Sequence, residues 1–425
     1  MKKHIILLLI LIPLLSFSQD TLRLMHYNLL NFNNNWGGCT DVNNSVTDKI
    51  GYLKTIVEYV QPDILLANEL ACGDENADNI LDNALNVDGV DHYERITFTC
   101  LSSNDLGNMI YFNNEKLVLY RQNTVVTDVR DINIATFYYN EPDLAQTHDT
   151  AYLHCIEAHL KAGSATSDEQ QRASETSTLM NYLRDHFDPG NFTVSGDFNL
   201  YSGTEQAFQN LIDYSDRDYC FKDPINQIGD WNNNAQYAPY HTQSTHSSSN
   251  GCAASGGMDD RFDFILASQN LVDGNAHFKV IPESYKALAQ DGHHFNKSIT
   301  DLPTDALVPA DVLQALFNNS DHLPVVADLA YSKFVGISEQ NLPDLKIWLE
   351  NPVQSILQLN VRTNRQAYLH VDIFSLEGRL LISNSLDAAS GMNHYQVSLA
   401  DIKPGLYLLK VNDGKNLLVR RLLKE

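Results

Sequence analysis

Short apolar runs recur along the first three quarters of the chain, and each stops at a polar group. In Phe192-Thr193-Val194-Ser195-Gly196-Asp197-Phe198-Asn199 the run is cut by Ser-Gly and followed by an acid and, two positions on, an amide. That pattern predicts a buried strand ending at a tight turn, and positions two apart on a strand share a face. Asp197 and Asn199 are therefore expected together at the carboxyl end of a sheet, where α/β folds place their ligands. The same form returns in Met25-His26-Tyr27-Asn28, in Ile64-Leu65-Leu66-Ala67-Asn68-Glu69, and in Glu157-Ala158-His159 at the end of a run from Ala151. Farther on, Asp260-Arg261-Phe262-Asp263 enters an apolar stretch ending at Leu266, and Ser320-Asp321-His322 precedes Leu323-Pro324-Val325. Between these runs, Val46, Ile50, Leu53, Ile56, Val57 and Val60 recur at helical spacing, predicting a helix over 47–59 that Pro62 stops. Thr166-Ser167-Asp168-Glu169 has capping-box spacing ahead of a second helix, whose inward face reads as Ala173, Met180, Leu183 and Phe187. Residues 107–112 and 116–126 read as a strand pair across Asn113-Asn114.

After Leu329 the pattern changes. A linker over 333–345 leads into short alternating strands at 356–361, 368–374, 395–399, 406–411 and 417–422, with turns at Leu376-Glu377-Gly378 and Lys403-Pro404-Gly405. That spacing predicts a small all-β sandwich over 346–425. At the other end, Lys2, Lys3 and His4 precede an apolar run from Ile5 to Leu15 and then Ser16-Phe17-Ser18. A membrane-spanning helix needs about 20 apolar residues, so residues 1–18 read as a cleaved secretory signal and not as an anchor. The main domain is then 19–332.

Charge and cysteine follow the same division. The formal net charge is −24, yet from Ile337 onward ten Lys and Arg stand against nine Asp and Glu, so the acidity belongs to the main domain. All six cysteines lie there as well. In an exported chain they suggest disulfides, with many pairings open. Cys39–Cys72, which follow the first two polar-ended strands, and Cys220–Cys252, which bracket a long loop region, are the pairs expected; Cys155, inside a strand, reads as a free core thiol. Residues 201–258 carry few apolar runs and many Asn, Ser, Gly and Tyr, the composition of a loop region that selects substrate.

The polar ends of the strands supply a chemistry. Asp197 can take a proton from water or hold a cation, and Asn199 can donate to a developing anionic oxygen. Asp263 inside its strand needs a partner, and His322 is that partner, as an acid orients an imidazole in other hydrolases. No Ser-His-Asp esterase pattern, Cys-rich metal cluster or phosphate-binding glycine loop points elsewhere. The ordered set of strand ends resembles the endonuclease/exonuclease/phosphatase superfamily, the fold shared by pancreatic-type DNase, abasic-site endonucleases, neutral sphingomyelinases and inositol polyphosphate 5-phosphatases. The resemblance runs from Leu22 to Leu329. It implies an α/β fold, a four-layer sandwich of two packed mixed sheets flanked by helices. It also implies Mg²⁺ or Mn²⁺ held by Glu69 with Asn28 and Asp321, oxygen donors that suit a hard cation. Asp197 would orient and deprotonate the attacking water, Asn199 and His159 would donate to phosphoryl oxygens, and His322, held by Asp263, would stabilise the pentavalent state.

Asn351-Pro352, Phe374-Ser375-Leu376-Glu377-Gly378, Pro404-Gly405-Leu406-Tyr407 and Arg420-Arg421-Leu422-Leu423-Lys424 look like the type A C-terminal sorting domain of the type IX secretion system. This resemblance implies a Bacteroidetes-like source, export to the outer cell surface or medium, and the secretion machinery as a partner. The substrate expected is extracellular nucleic acid, DNA before RNA, acted on by a monomer without stable membrane insertion. The alternatives are a sphingomyelinase-like phospholipase or phosphomonoesterase and, in another class, a non-catalytic surface binding protein. Trp36 and Trp231 sit among Asn and Gly and not in an apolar hairpin, a weak signal for lipid docking.

Overall fold

The computed structural model describes residues 20–102, 106–144, 150–274, 276–303, 307–332, 345–349, 351–375 and 378–424. The expected signal over 1–18 and most of the linker lie outside them. The chain divides into two compact units, one running to residue 333 and the other from residue 334.

The first unit contains β1 (Asp20–Phe32), β2 (Ile64–Ala71), β3 (Tyr93–Arg95), β4 (Leu106–Asn113), β5 (Leu117–Val125) and β6 (Ile132–Tyr139). It continues with β7 (Tyr152–His159), β8 (Phe192–Asp197), β9 (Phe221–Lys222), β10 (Asp263–Ser268), β11 (Phe278–Ala287) and β12 (Val325–Tyr331). Its helices are α1 (Val46–Val60), α2 (Asp74–Ile80), α3 (Thr166–His186), α4 (Gln206–Ile212), α5 (Gln269–Asp273) and α6 (Ala310–Asn319). The strands form two sheets of six, ordered β11-β12-β1-β2-β4-β3 and β5-β6-β7-β8-β10-β9. Both are mixed: β1 with β2 and β7 with β8 run parallel, and the other pairs run antiparallel. Leu53 and Ile56 of α1 and Leu316 of α6 pack on the first sheet. Leu179, Met180 and Leu183 of α3, with Phe208 of α4, pack on Ile156, Val194 and Phe264 of the second. The result is the expected four-layer sandwich.

The chain departs from expectation at three points in this unit. Strands β4 and β5 do not pair with each other: every residue of β4 is buried, its partners are β2 and β3, and the chain crosses between sheets at Asn113–Leu117. Helix α3 buries Arg172, Glu175 and Thr176 on the face it shares with Leu179, Met180 and Leu183. There Arg172 donates to the Lys161 and Gly163 carbonyls and pairs with Glu205, while Glu175 accepts from Lys161 N–H, so the helix anchors the loop that follows β7. The helix starts one residue before the expected Thr166–Glu169 box: Ala165 is the N-cap, Asp168 accepts from its N–H, and Ala165 has no side-chain acceptor to return the bond. Thirdly, the disulfides are Cys39–Cys252 and Cys72–Cys100, with Cys155 and Cys220 free and buried. Neither expected pair, Cys39–Cys72 or Cys220–Cys252, forms, and Cys39 is joined instead to the loop that holds Cys252.

The second unit is a sandwich of β13 (Leu345–Leu349), β14 (Ile356–Thr363), β15 (Ala367–Ser375), β16 (Leu380–Ala388), β17 (Gly391–Ser398), β18 (Gly405–Asn412) and β19 (Leu417–Lys424). Its sheets are ordered β13-β14-β17 and β16-β15-β18-β19. Strict alternation builds it: Leu357, Leu359 and Val361 face Leu369, Val371, Ile373, Leu409 and Val411 in one core, and the intervening residues point out. Two of its strands, β13 and β16, were not foreseen.

Candidate active site

Along the inner faces of the two sheets, composition changes from one end of the strands to the other. Leu22 and Leu24 give way to His26 and Asn28 on β1, and Ile64 and Leu66 to Asn68 on β2. On the facing sheet Leu153 and Cys155 give way to Glu157 and His159, and Asp197 closes β8. Asp263 opens the antiparallel β10, and Asp321 and His322 precede β12, so their polar groups arrive at the same end. Alternation alone would turn Glu69 away, because its neighbour Asn68 faces inward. The register shifts between Ala67 and Leu70, and Glu69 adopts a left-handed φ of 62°; this bulge re-aims the carboxylate into the site.

All eight residues singled out in the sequence meet here. Asn28 donates from Nδ2 to Glu69 Oε1 and Asp197 Oδ2, each at 3.0 Å, while its Oδ1 accepts from Leu30 N–H. Asn31 N–H holds the other Glu69 oxygen at 2.8 Å. His159 Nε2 lies 3.8 Å from Glu69 Oε1 and 3.4 Å from Asp197 Oδ2. Asn199 is held at a left-handed φ of 51°, where its N–H donates to Asp197 Oδ1 and its amide to the Leu160 carbonyl. Asp263 Oδ2 bonds His322 Nδ1 at 2.7 Å, the pairing expected from sequence. His322 Nε2 lies 3.7 Å from Asp197 Oδ2, 4.0 Å from Asp321 Oδ1 and 2.7 Å from the Gln243 amide nitrogen. Asp321 Oδ2 accepts from Ala254 N–H, and its Oδ1 is buried with no hydrogen-bond partner among the described residues.

The electrostatics follow from burial and from charges packed together. Burial pushes Asp197 up to about 7, opposed by His322 and reinforced by Asp263 and Glu69. Burial holds His159 well below the usual imidazole range, aided by Arg130 and His322, so its ring is neutral and available as a donor or ligand. Burial also opposes charge on His322, but the Asp263 and Asp197 carboxylates outweigh it and hold the imidazolium well above its ordinary range. Asp263 is correspondingly held low: burial resists its charge, and His322 with His26 overrides that resistance.

The tightest set of metal-ligating types is Glu69, His159 and Asp197, whose ligand atoms all lie within 4.8 Å of one another. The ligand set expected from sequence paired Glu69 with Asn28 and Asp321 instead. Asn28 here turns its amide nitrogen to the carboxylates and serves as their brace. Residues that received no role from the sequence are His26, Asn68, Glu157 and Gln243. Their only sequence signal was a polar side chain on the inward parity of an apolar strand, or a place in a loop. Three loop histidines are held in structural contacts: His241 bonds the Met258 and Trp231 carbonyls, His294 bonds Asp291 and the Asp301 carbonyl, and His246 stacks on Phe317.

Residues 351–425 match the family described as Secretion system C-terminal sorting domain. No curated protein matches the chain. Among solved structures, the catalytic domain of human Nocturnin with bound sulfate is similar at 17% identity and a TM-score of 0.45, over 74% of this chain and 98% of that one. An endonuclease/exonuclease/phosphatase from Bacteroides vulgatus is similar at 15% identity and a TM-score of 0.47, over 74% of this chain and 100% of that one. Another from Beutenbergia cavernae stands at 16% identity and a TM-score of 0.42, over 95% of this chain and 99% of that one.

Proposed function

We propose that the first unit is an exported, divalent-metal-dependent phosphodiesterase acting on nucleic acid, DNA before RNA. The observation that carries this reading is the convergence of Glu69, Asp197 and Asp321 with the Asp263–His322 pair at one end of the two packed sheets. The donor set fits a hard cation: carboxylate oxygens predominate, His159 is neutral, and Asp321 Oδ1 is buried without a partner. Glu69, His159 and Asp197, with Asp321 beside them, would hold Mg²⁺ or Mn²⁺, which would supply Lewis-acid stabilisation of phosphoryl charge.

The chain's own groups divide the rest. Asp197, braced by Asn28 and by Asn199 N–H, accepts a proton from the attacking water. His322, kept charged by Asp263 through Nδ1, donates from Nε2 to the phosphoryl oxygens as they gain charge, where a substrate oxygen takes the place of the Gln243 amide nitrogen that Nε2 meets at 2.7 Å. Asn199 spends one amide hydrogen on Leu160, leaving the second for substrate. Export follows from the sorting-domain match, with the type IX machinery as the partner of the second unit. The lipid-directed alternative loses one of its two aromatic candidates, since Trp231 is fully buried and only Trp36 is exposed. Among the described residues no helix is long and apolar enough to cross a membrane.

The test is to assay the purified chain on duplex DNA, RNA and sphingomyelin vesicles, with chelator and after restoring Mg²⁺ or Mn²⁺. DNA cleavage that chelator abolishes and metal restores is the expected result. Full activity after exhaustive chelation would sink the mechanism, and sphingomyelin cleavage with both nucleic acids intact would replace the substrate.

A further inference from the structure

Between the two sheets runs a closed circuit of polar contacts, half of which the chemistry above leaves unused. Asp197 N–H donates to Asn68 Oδ1 at 3.0 Å, and Asn68 Nδ2 donates to Glu157 Oε1 at 2.6 Å. Glu157 Oε1 lies 2.9 Å from His26 Nδ1, and His26 Nε2 lies 2.9 Å from Asp263 Oδ1. Asp263 Oδ2 bonds His322 Nδ1 at 2.7 Å, and His322 Nε2 returns to within 3.7 Å of Asp197 Oδ2. Every side chain of the circuit is buried. His26 and Asn68 come from the first sheet, and Glu157, Asp197 and Asp263 from the second.

His26 is the member whose two ring nitrogens both face carboxylate oxygens at full hydrogen-bond distance. A neutral imidazole has one N–H and one lone pair, so it would set that lone pair against a carboxylate in a site without solvent. The doubly protonated ring satisfies both contacts, and because Glu157 Oε2 is buried without a partner among the described residues, Oε1 and the charge on His26 carry the stabilisation of that carboxylate. Asp263 can otherwise rotate about its terminal torsion and offer either oxygen to His322.

We propose that His26 is a positioning residue: an imidazolium clamped by Glu157, it occupies one oxygen of Asp263 and thereby aims the other at His322. Through Asn68 the same Glu157 oxygen sets the backbone of Asp197, so one buried acid ties together the placement of both reacting groups across the sheet interface. This role rests on the reading of Asp197 and His322 as the groups that act on substrate.

The experiment compares the full-length chain with His26→Gln and Glu157→Gln, the second of which conserves volume and keeps the test alive where the first fails to fold. On duplex DNA with Mg²⁺, kcat is expected to fall about 10- to 100-fold, the scale of a misplacement near 1 Å, with KM within about twofold. A second readout needs no substrate or metal: the low-field proton resonance of His322 Nδ1–H, assigned by its loss in His322→Gln, should shift in both variants. An unmoved resonance, an unchanged kcat in a folded variant, or a loss carried in KM alone overturns the proposal. Where the wild-type chain cleaves no phosphodiester at all, the substrate reading falls, and the resonance alone decides the role of His26.

Discussion

The two units of the chain have opposite interiors. Among the described residues, the sandwich buries Thr363 and Asp413 as its polar or charged side chains, and its central strands β14, β15 and β18 alternate buried apolar positions with more exposed ones. The sheet interface of the first unit begins in the same way and then buries His26, Asn68, Glu157, Asp197 and Asp263 with no exposed face to spare. Burying such groups costs free energy unless each finds a partner. Where one domain of a chain shows that an apolar solution was available, the polar interior of its neighbour calls for a reason other than stability. The shared end of the strands, where the carboxylates converge, supplies that reason.

If the contrast reflects function, the largest effect should come from Asp197→Ala and His322→Ala. Each should lower turnover by about 10²- to 10⁴-fold while the variant still melts cooperatively; folded variants with near wild-type rates would place the reacting centre elsewhere. Leu369→Ala in the fully buried core of the sandwich should cost that unit about 2–5 kcal/mol and leave turnover unchanged. Ending the chain at Ser332 sharpens the same point, since every proposed reacting group precedes Leu323; a loss of catalysis from a correctly folded remainder would make the sandwich part of the enzyme. The smallest effect belongs to Glu175, buried against the loop after β7 and pushed up to about 7 by burial. Its folded-state value exceeds its unfolded one, so its contribution to stability is complete below the unfolded carboxylate range and lost as pH rises through about 7. Its share of the decline across that window should be on the order of 2 kcal/mol, and Glu175→Gln should reduce the slope by that share while Asp197, also raised to about 7, keeps the remainder.

Much of this was legible in sequence because it is local. A strand end with Asp197 and Asn199 two apart, or an acid before His322, is a statement about neighbouring residues and alternation. The sandwich was legible for the same reason, although β13 and β16 escaped. What escaped elsewhere depends on residues far apart in the chain. His26 finds Glu157 and Asp263 across the gap between sheets, at separations of 131 and 237 residues, and no periodicity announces such a meeting. Adjacent strands β4 and β5 looked like a hairpin because proximity in sequence was the only available guide, yet full burial of β4 required partners on both sides. Glu69 had the wrong parity for its task, and a bulge, invisible in composition, corrected it.

The Cys39–Cys252 bond spans 213 residues of sequence. Its two ends stand next to supports of the site, since Asn31 donates to Cys39 Sγ and, through its backbone, to Glu69, and Ala254, two residues past Cys252, donates to Asp321. The bond therefore ties two loops that are remote in sequence to each other at the rim of the site. In a reducing compartment the halves of the rim are joined by weak contacts alone, and in an oxidising one they become a single covalent collar. The compartment through which an exported chain matures therefore leaves its mark on the mouth of the site.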